Sequence, residues 1–127
     1  MPRRAALLAV LLLALLSVGT ASAAFRQFRS PTGKVGCAFF SDRHVPREVR
    51  CDWRGGNDRA VMVAERGRAK RIHVTDTVLD PNAKVLRYGT STKFGALKCT
   101  SRRSGITCRS SRSGHGFTAS VQRRRLF

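Results

Sequence analysis

Cys99-Thr100-Ser101-Arg102-Arg103-Ser104-Gly105-Ile106-Thr107-Cys108 sets two short strand-like runs on either side of a polar turn that contains glycine. Arg102 to Gly105 fits a hairpin connection, and a chain folded back there places Cys99 and Cys108 opposite each other on adjacent antiparallel strands. Successive side chains of a strand point to opposite faces, so Arg109 shares the face of Thr107, away from Cys108. This one stretch therefore predicts an antiparallel β fold with sulfur on the inner face and cations on the outer.

Outward from that hairpin the same pattern recurs. Short β-branched and aromatic runs, separated by Gly, Asn, Ser and Pro, return every 8 to 12 residues, and helical periodicity is hard to find beyond Ala24. The predicted strands are Phe25 to Phe28, Val35 to Phe40, Glu48 to Trp53, Ala60 to Glu65, Lys70 to Val74, Lys84 to Tyr88, Ala96 to Ser101, Ile106 to Ser110 and Gly116 to Val121. Arg66-Gly67-Arg68 and Gly114-His115-Gly116 read as further tight connections, and Ser30-Pro31-Thr32-Gly33 as a turn. Leu126 and Phe127 give the run Arg123-Arg124-Arg125 something apolar to bury, which favours the end of a last strand over a tail. The expected fold is all-β: one twisted sheet folded into a small antiparallel sandwich or open barrel, in a single domain over residues 24–127.

The N-terminus has a different character. Arg3 and Arg4 precede the apolar run Ala5 to Val18, and Ala21-Ser22-Ala23 supplies small residues at a cleavage position, so residues 1–23 read as a secretory signal peptide. The apolar run is shorter than the roughly 20 residues a spanning helix needs, and no later stretch is as hydrophobic. The reading is a secreted, extracellular protein. All four cysteines, Cys37, Cys51, Cys99 and Cys108, follow the predicted cleavage site, and an even count in a small exported chain favours two disulfides. Three connectivities are open. Pairing Cys37 with Cys51 and Cys99 with Cys108 is preferred because each pair flanks a turn-rich segment. A zinc site is disfavoured because no Cys-x-x-Cys occurs and His44, His73 and His115 are scattered, and no metal or cofactor is expected.

Charge narrows the partner. Removing Arg3 and Arg4 with the signal takes the formal net charge from +18 to +16. Every acid lies between Asp42 and Asp80, whereas residues 81–127 hold eleven Lys or Arg and no Asp or Glu. A field of this sign favours anionic partners such as nucleic acid or an acidic envelope polysaccharide. The candidate anion-binding residues are Arg102, Arg103, Arg109, Arg112, Arg123, Arg124 and Arg125, since guanidinium pairs bidentately with phosphate or carboxylate. The competing reading is a solvated surface, because arginine with alanine enrichment also follows from a GC-rich coding sequence.

The order of several fragments is similar to that of a family of small exported bacterial proteins carrying a domain of unknown function. The fragments are Phe28-Arg29-Ser30-Pro31-Thr32-Gly33-Lys34-Val35-Gly36-Cys37, Val49-Arg50-Cys51-Asp52, Thr75-Asp76-Thr77, Leu86-Arg87-Tyr88-Gly89, Cys99-Thr100-Ser101, Gly105-Ile106-Thr107-Cys108, Gly114-His115-Gly116-Phe117 and the final Leu126-Phe127. That family usually carries six cysteines. The resemblance implies that the two missing here, one at His73 and one after Trp53, pair with each other, leaving the two local pairs intact. It implies no activity.

Catalysis finds little support in the residues. His44, His73 and His115 with Glu48 or Glu65 are the types a small basic ribonuclease uses, yet no spacing singles out an acid, a base and an orienting group, and no catalytic residue is assigned. Asp76 reads as the acceptor of an Asx turn, His115 as a turn residue tolerant of unusual backbone angles, and Trp53 as core or core rim beside Cys51. The expectation is a monomeric binding module for an anionic polymer or envelope component. The alternatives are a small secreted hydrolase such as a ribonuclease and a cationic antimicrobial or toxin-like protein.

Overall fold

A computed structural model describes residues 23–127, so the predicted signal segment lies outside the described residues except for Ala23. The described chain is eleven strands without a helix: β1 (Ala24–Arg29), β2 (Val35–Ser41), β3 (Glu48–Trp53), β4 (Arg59–Ala64), β5 (Lys70–His73), β6 (Lys84–Val85), β7 (Ser91–Phe94), β8 (Leu97–Arg102), β9 (Gly105–Ser110), β10 (Gly116–Ala119) and β11 (Arg124–Leu126). They form two sheets, ordered β5-β4-β3-β2-β1-β6 and β11-β10-β9-β8-β7. Neighbours are antiparallel except β6, which lies parallel to β1.

The inner faces carry the apolar half of each alternation. Val49, Cys51 and Trp53 of β3 with Val61 and Val63 of β4 meet Leu97 and Cys99 of β8, Ile106 and Cys108 of β9 and Phe117 of β10. Phe39 stacks on Phe94 across the sheets at 5.2 Å between ring centroids. Both preferred disulfides form, each joining residues directly opposite on neighbouring strands: Cys37–Cys51 between β2 and β3, and Cys99–Cys108 between β8 and β9. All four cysteines are fully buried, and Cys51 Sγ lies 4.0 Å from Cys108 Sγ, so the two disulfides touch across the sandwich.

The outer face of the first sheet is partly roofed. Residues 74–83 cross it as a strap, which explains why Arg50 and Asp52, on the outward side of β3, are nevertheless buried. Arg50 donates two hydrogen bonds of 2.8 Å to Asp52 and reaches the Asp76 carboxylate and carbonyl at 2.8 and 2.9 Å. Asp52 accepts the Val78 N–H at 3.0 Å, and Arg29 binds the Ala83 carbonyl. Gly36 is required beneath the strap, since a Cβ there would stand 2.9 Å from Leu79 Cα and from the Val78 carbonyl oxygen.

Several expectations need correction. The all-β sandwich expected from sequence forms, but hydrogen bonding divides its strands into two sheets instead of one folded sheet. The strand expected over Lys84 to Tyr88 keeps two residues, because Leu86 turns into the core and Arg87 to Thr90 makes a turn. β7, which fell in an interval with no predicted strand, forms the edge beside β8. Asp76 is an ion-pair partner, and the Asx turns form instead at Asp42 and Asp80. His115 does not take a positive φ; the residue that does is Gly114, at φ 75°.

Candidate anion-binding face

Alternation along β8 buries Leu97, Cys99 and Ser101 and turns Lys98, Thr100 and Arg102 outward. β9 continues it, with Ile106 and Cys108 inward and Thr107 and Arg109 outward. The register then fixes which outward residues stand side by side. Lys93 of β7 is opposite Lys98, and Lys98 is opposite Arg109, so three adjacent strands present three cations in one cross-strand row. The next row is hydroxyl-bearing: Ser91, Thr100, Thr107 and Thr118, ending at Arg125 on β11. Ser91 hydrogen-bonds Thr100 at 2.8 Å and Thr107 hydrogen-bonds Thr118 at 2.8 Å. Beyond it Arg102 faces Gly105 on the far margin, with Arg123 in the turn that leads to β11.

A shallow depression of about 490 Å³ lies on this face, lined by Ala96, Lys98, Thr100, Thr107, Arg109 and Ser111. Like charges placed directly opposite on neighbouring strands repel. No acid lies in residues 81–127, and the ion pairs among the described residues, Arg47–Glu65, Arg50–Asp52 and Arg50–Asp76, all belong to the earlier part of the chain.

The arginines picked from sequence separate into groups. Arg102, Arg109, Arg123 and Arg125 stand on or beside the outer face. Arg103, at the β8–β9 tip, stacks on Tyr88 at 5.2 Å. Arg112 follows β9, where its charge acts on Glu65. Arg124 points the other way: its guanidinium covers the Trp53 ring at 4.4 Å and donates to the Val121 carbonyl. Sequence reading passed over Lys93 and Lys98, which no local cluster marks; the register around Cys99 and Cys108 is the signal that brings Lys98 beside Arg109.

The other polar candidates are engaged structurally. Glu65 ties the sheets together, accepting the Ala96 N–H at 2.8 Å and Arg47 at 3.5 Å. Burial pushes its carboxyl upward, but the Ala96 hydrogen bond and the charges of Arg112 and Arg47 outweigh that and hold it below its usual range. Glu48 is raised, first by burial and then by the Asp42 charge. His44 is exposed in the β2–β3 loop, His73 lies on the edge strand β5, and His115 Nδ1 is 3.3 Å from the main-chain oxygen of Phe127. The clefts that His73 and His115 line contain arginine and apolar residues and no Asp or Glu side chain. Trp53 is 6% exposed beneath Arg124, within the core rim.

One protein-family model matches the chain over residues 43–127, that of a family of unknown function, DUF6636. The match takes in the hairpin and the whole outer face and begins beyond the Phe28–Cys37 stretch. No curated protein and no solved structure matches the chain.

Proposed function

The chain belongs to the DUF6636 family, whose function is unknown, and on that premise we propose that it is an exported, non-catalytic binding module for anionic polymers. The observation that carries this reading is the row Lys93, Lys98 and Arg109, three cations held in register on a sheet whose own residues include no Asp or Glu. An arrangement that costs the free protein stability is compensated when an anion bridges the row. Arg102, Arg123 and Arg125 extend the positive field along the far margin and the β11 edge, so a polymer crossing the sheet meets cations on both sides.

The test is fluorescence anisotropy of end-labelled RNA with residues 24–127 across a salt series, each point followed for an hour. A signal that weakens steeply with salt, and whose slope flattens when Lys98 and Arg109 are both replaced by glutamine, supports the reading. Absence of binding at low salt, or an unchanged slope in the double variant, overturns it. A signal that rises and then decays reports cleavage and moves the protein to the hydrolases.

A further inference from the structure

Resting on the polyanion reading, we infer that the outer face of β7 to β11 is built for an acidic polysaccharide, whose sugar hydroxyls lie over the serine and threonine row. The floor between the two cationic margins is a line of four hydroxyl-bearing residues on four consecutive strands, Ser91, Thr100, Thr107 and Thr118. Strands lie about 4.8 Å apart, so this line extends over roughly 15 Å, the reach of a few sugar units. A single cation cluster would suit any anion. This floor adds a requirement of its own.

The hydroxyls are paired, Ser91 with Thr100 and Thr107 with Thr118. In each pair one O–H donates to the other oxygen, which leaves the pair one unused donor and several unused lone pairs. Sugar hydroxyls, which donate and accept, match that mixture. Phosphate oxygens only accept, and would leave the threonine lone pairs without a donor. The carboxylates or sulfates of an acidic sugar then fall to Lys98 and Arg109 on one side and Arg102 on the other, each two residues along the strand from a row threonine.

Nucleic acid would ask for something the face lacks. Single strands are held by aromatic rings on which bases stack. The exposed rings bordering this sheet are Tyr88 and Phe127, and Arg103 and Arg125 already sit over them at 5.2 and 5.5 Å. The central rows contain no ring, and Gly105 and Gly116 keep the floor low beside the threonines.

The experiment compares polygalacturonate and oligo(dT) as ligands of residues 24–127 by isothermal titration at one moderate salt concentration. The same titrations use the triple variant Thr100→Val, Thr107→Val, Thr118→Val, which keeps strand shape and charge. Tighter binding of polygalacturonate, weakened about tenfold or more in the triple variant while oligo(dT) is unaffected, is the expected result. Equal binding of both polymers that the variant leaves unchanged overturns the polysaccharide inference and leaves polyanion binding standing. Failure of both polymers to bind overturns the two together. Should the triple variant fold poorly, judged by its thermal transition, Thr107→Val with Thr118→Val removes one hydroxyl pair and is read the same way.

Discussion

Replacing Arg50 by alanine leaves the Asp52 carboxylate buried beside β3 with the Val78 N–H and no cation. Breaking a buried pair in this way costs about 3–5 kcal/mol, so Arg50→Ala should lower the urea midpoint sharply, and a midpoint within error of the parent would refute the strap's dependence on it. Asp76, whose side chain is 76% exposed, is a different case. Hydrogen bonding to Arg50 and the Arg50 charge hold its carboxyl below the usual 3.8. A folded pKa below the unfolded one contributes stability in full above the unfolded value and loses it as pH falls through the folded value. Asp76→Asn should therefore lower the midpoint modestly at neutral pH, where that contribution is fully present, and remove part of its decline between about pH 5 and pH 2; equal midpoints at neutral pH with parallel declines in the two proteins would refute this. Glu48 has the opposite sign, since a raised folded pKa withdraws stability as pH rises past 4.5. The residue scale is where sequence reading was least secure. Arg123, Arg124 and Arg125 look like one basic cluster, yet neighbours in an extended chain alternate faces, and Arg124 goes to Trp53. Asp76 offered no sign of its partner because Arg50 lies 26 residues away in sequence.

Lys98 has a cation on each side, which makes β8 the strand where function and stability oppose each other. Lys98→Gln should raise stability at low salt by about 0.5 kcal/mol while weakening polyanion binding, and a variant that loses both would show that the row is not under repulsion. The gain should shrink as salt is added. The β9–β10 pairing depends on a different residue. A Cβ at Gly116 would stand 2.1 Å from the Cys108 carbonyl oxygen and 2.9 Å from Arg109 Cα, so Gly116→Ala must push the strands apart. Its cost is expected at about 1–3 kcal/mol, and an unchanged thermal transition would mean the strand shifts freely. Strands with an apolar inner face, such as Val35 to Phe40 and Glu48 to Trp53, were legible because alternation and cysteine register agree. β7 was not. Ser91-Thr92-Lys93-Phe94 offers Phe94 alone as a large apolar residue, and its strand form comes from pairing with β8 instead of from its own pattern.

At the scale of the whole molecule the two sheets divide the charged side chains: every Asp and Glu lies on the first sheet, its loops or its strap, and the charged side chains of the second sheet are all cationic. That polarity was legible from residues 81–127 before any strand was placed, whereas the division of the strands between sheets depends on β6 crossing to lie parallel with β1, which nothing local encodes. Each disulfide closes a short loop, with sequence separations of 14 and 9, so replacing Cys99 and Cys108 together by alanine should cost about 2–4 kcal/mol in denaturant unfolding. Peptide mapping without reductant should find the links Cys37–Cys51 and Cys99–Cys108. The contact between the disulfides bears on how the molecule is assembled. Cys51 and Cys108, one from each sheet, end 4.0 Å apart, so collapse of the core brings together two sulfurs that must not join. A chain that packs its sheets before oxidising its hairpins meets this mispairing with the two sulfurs already within about 4 Å, and a thiolate left on either cysteine stands beside the neighbouring bond it could attack. Refolding from the reduced state should give its best yield where thiol exchange is fast enough to undo the Cys51–Cys108 link, which would weld the two layers while leaving both hairpins open.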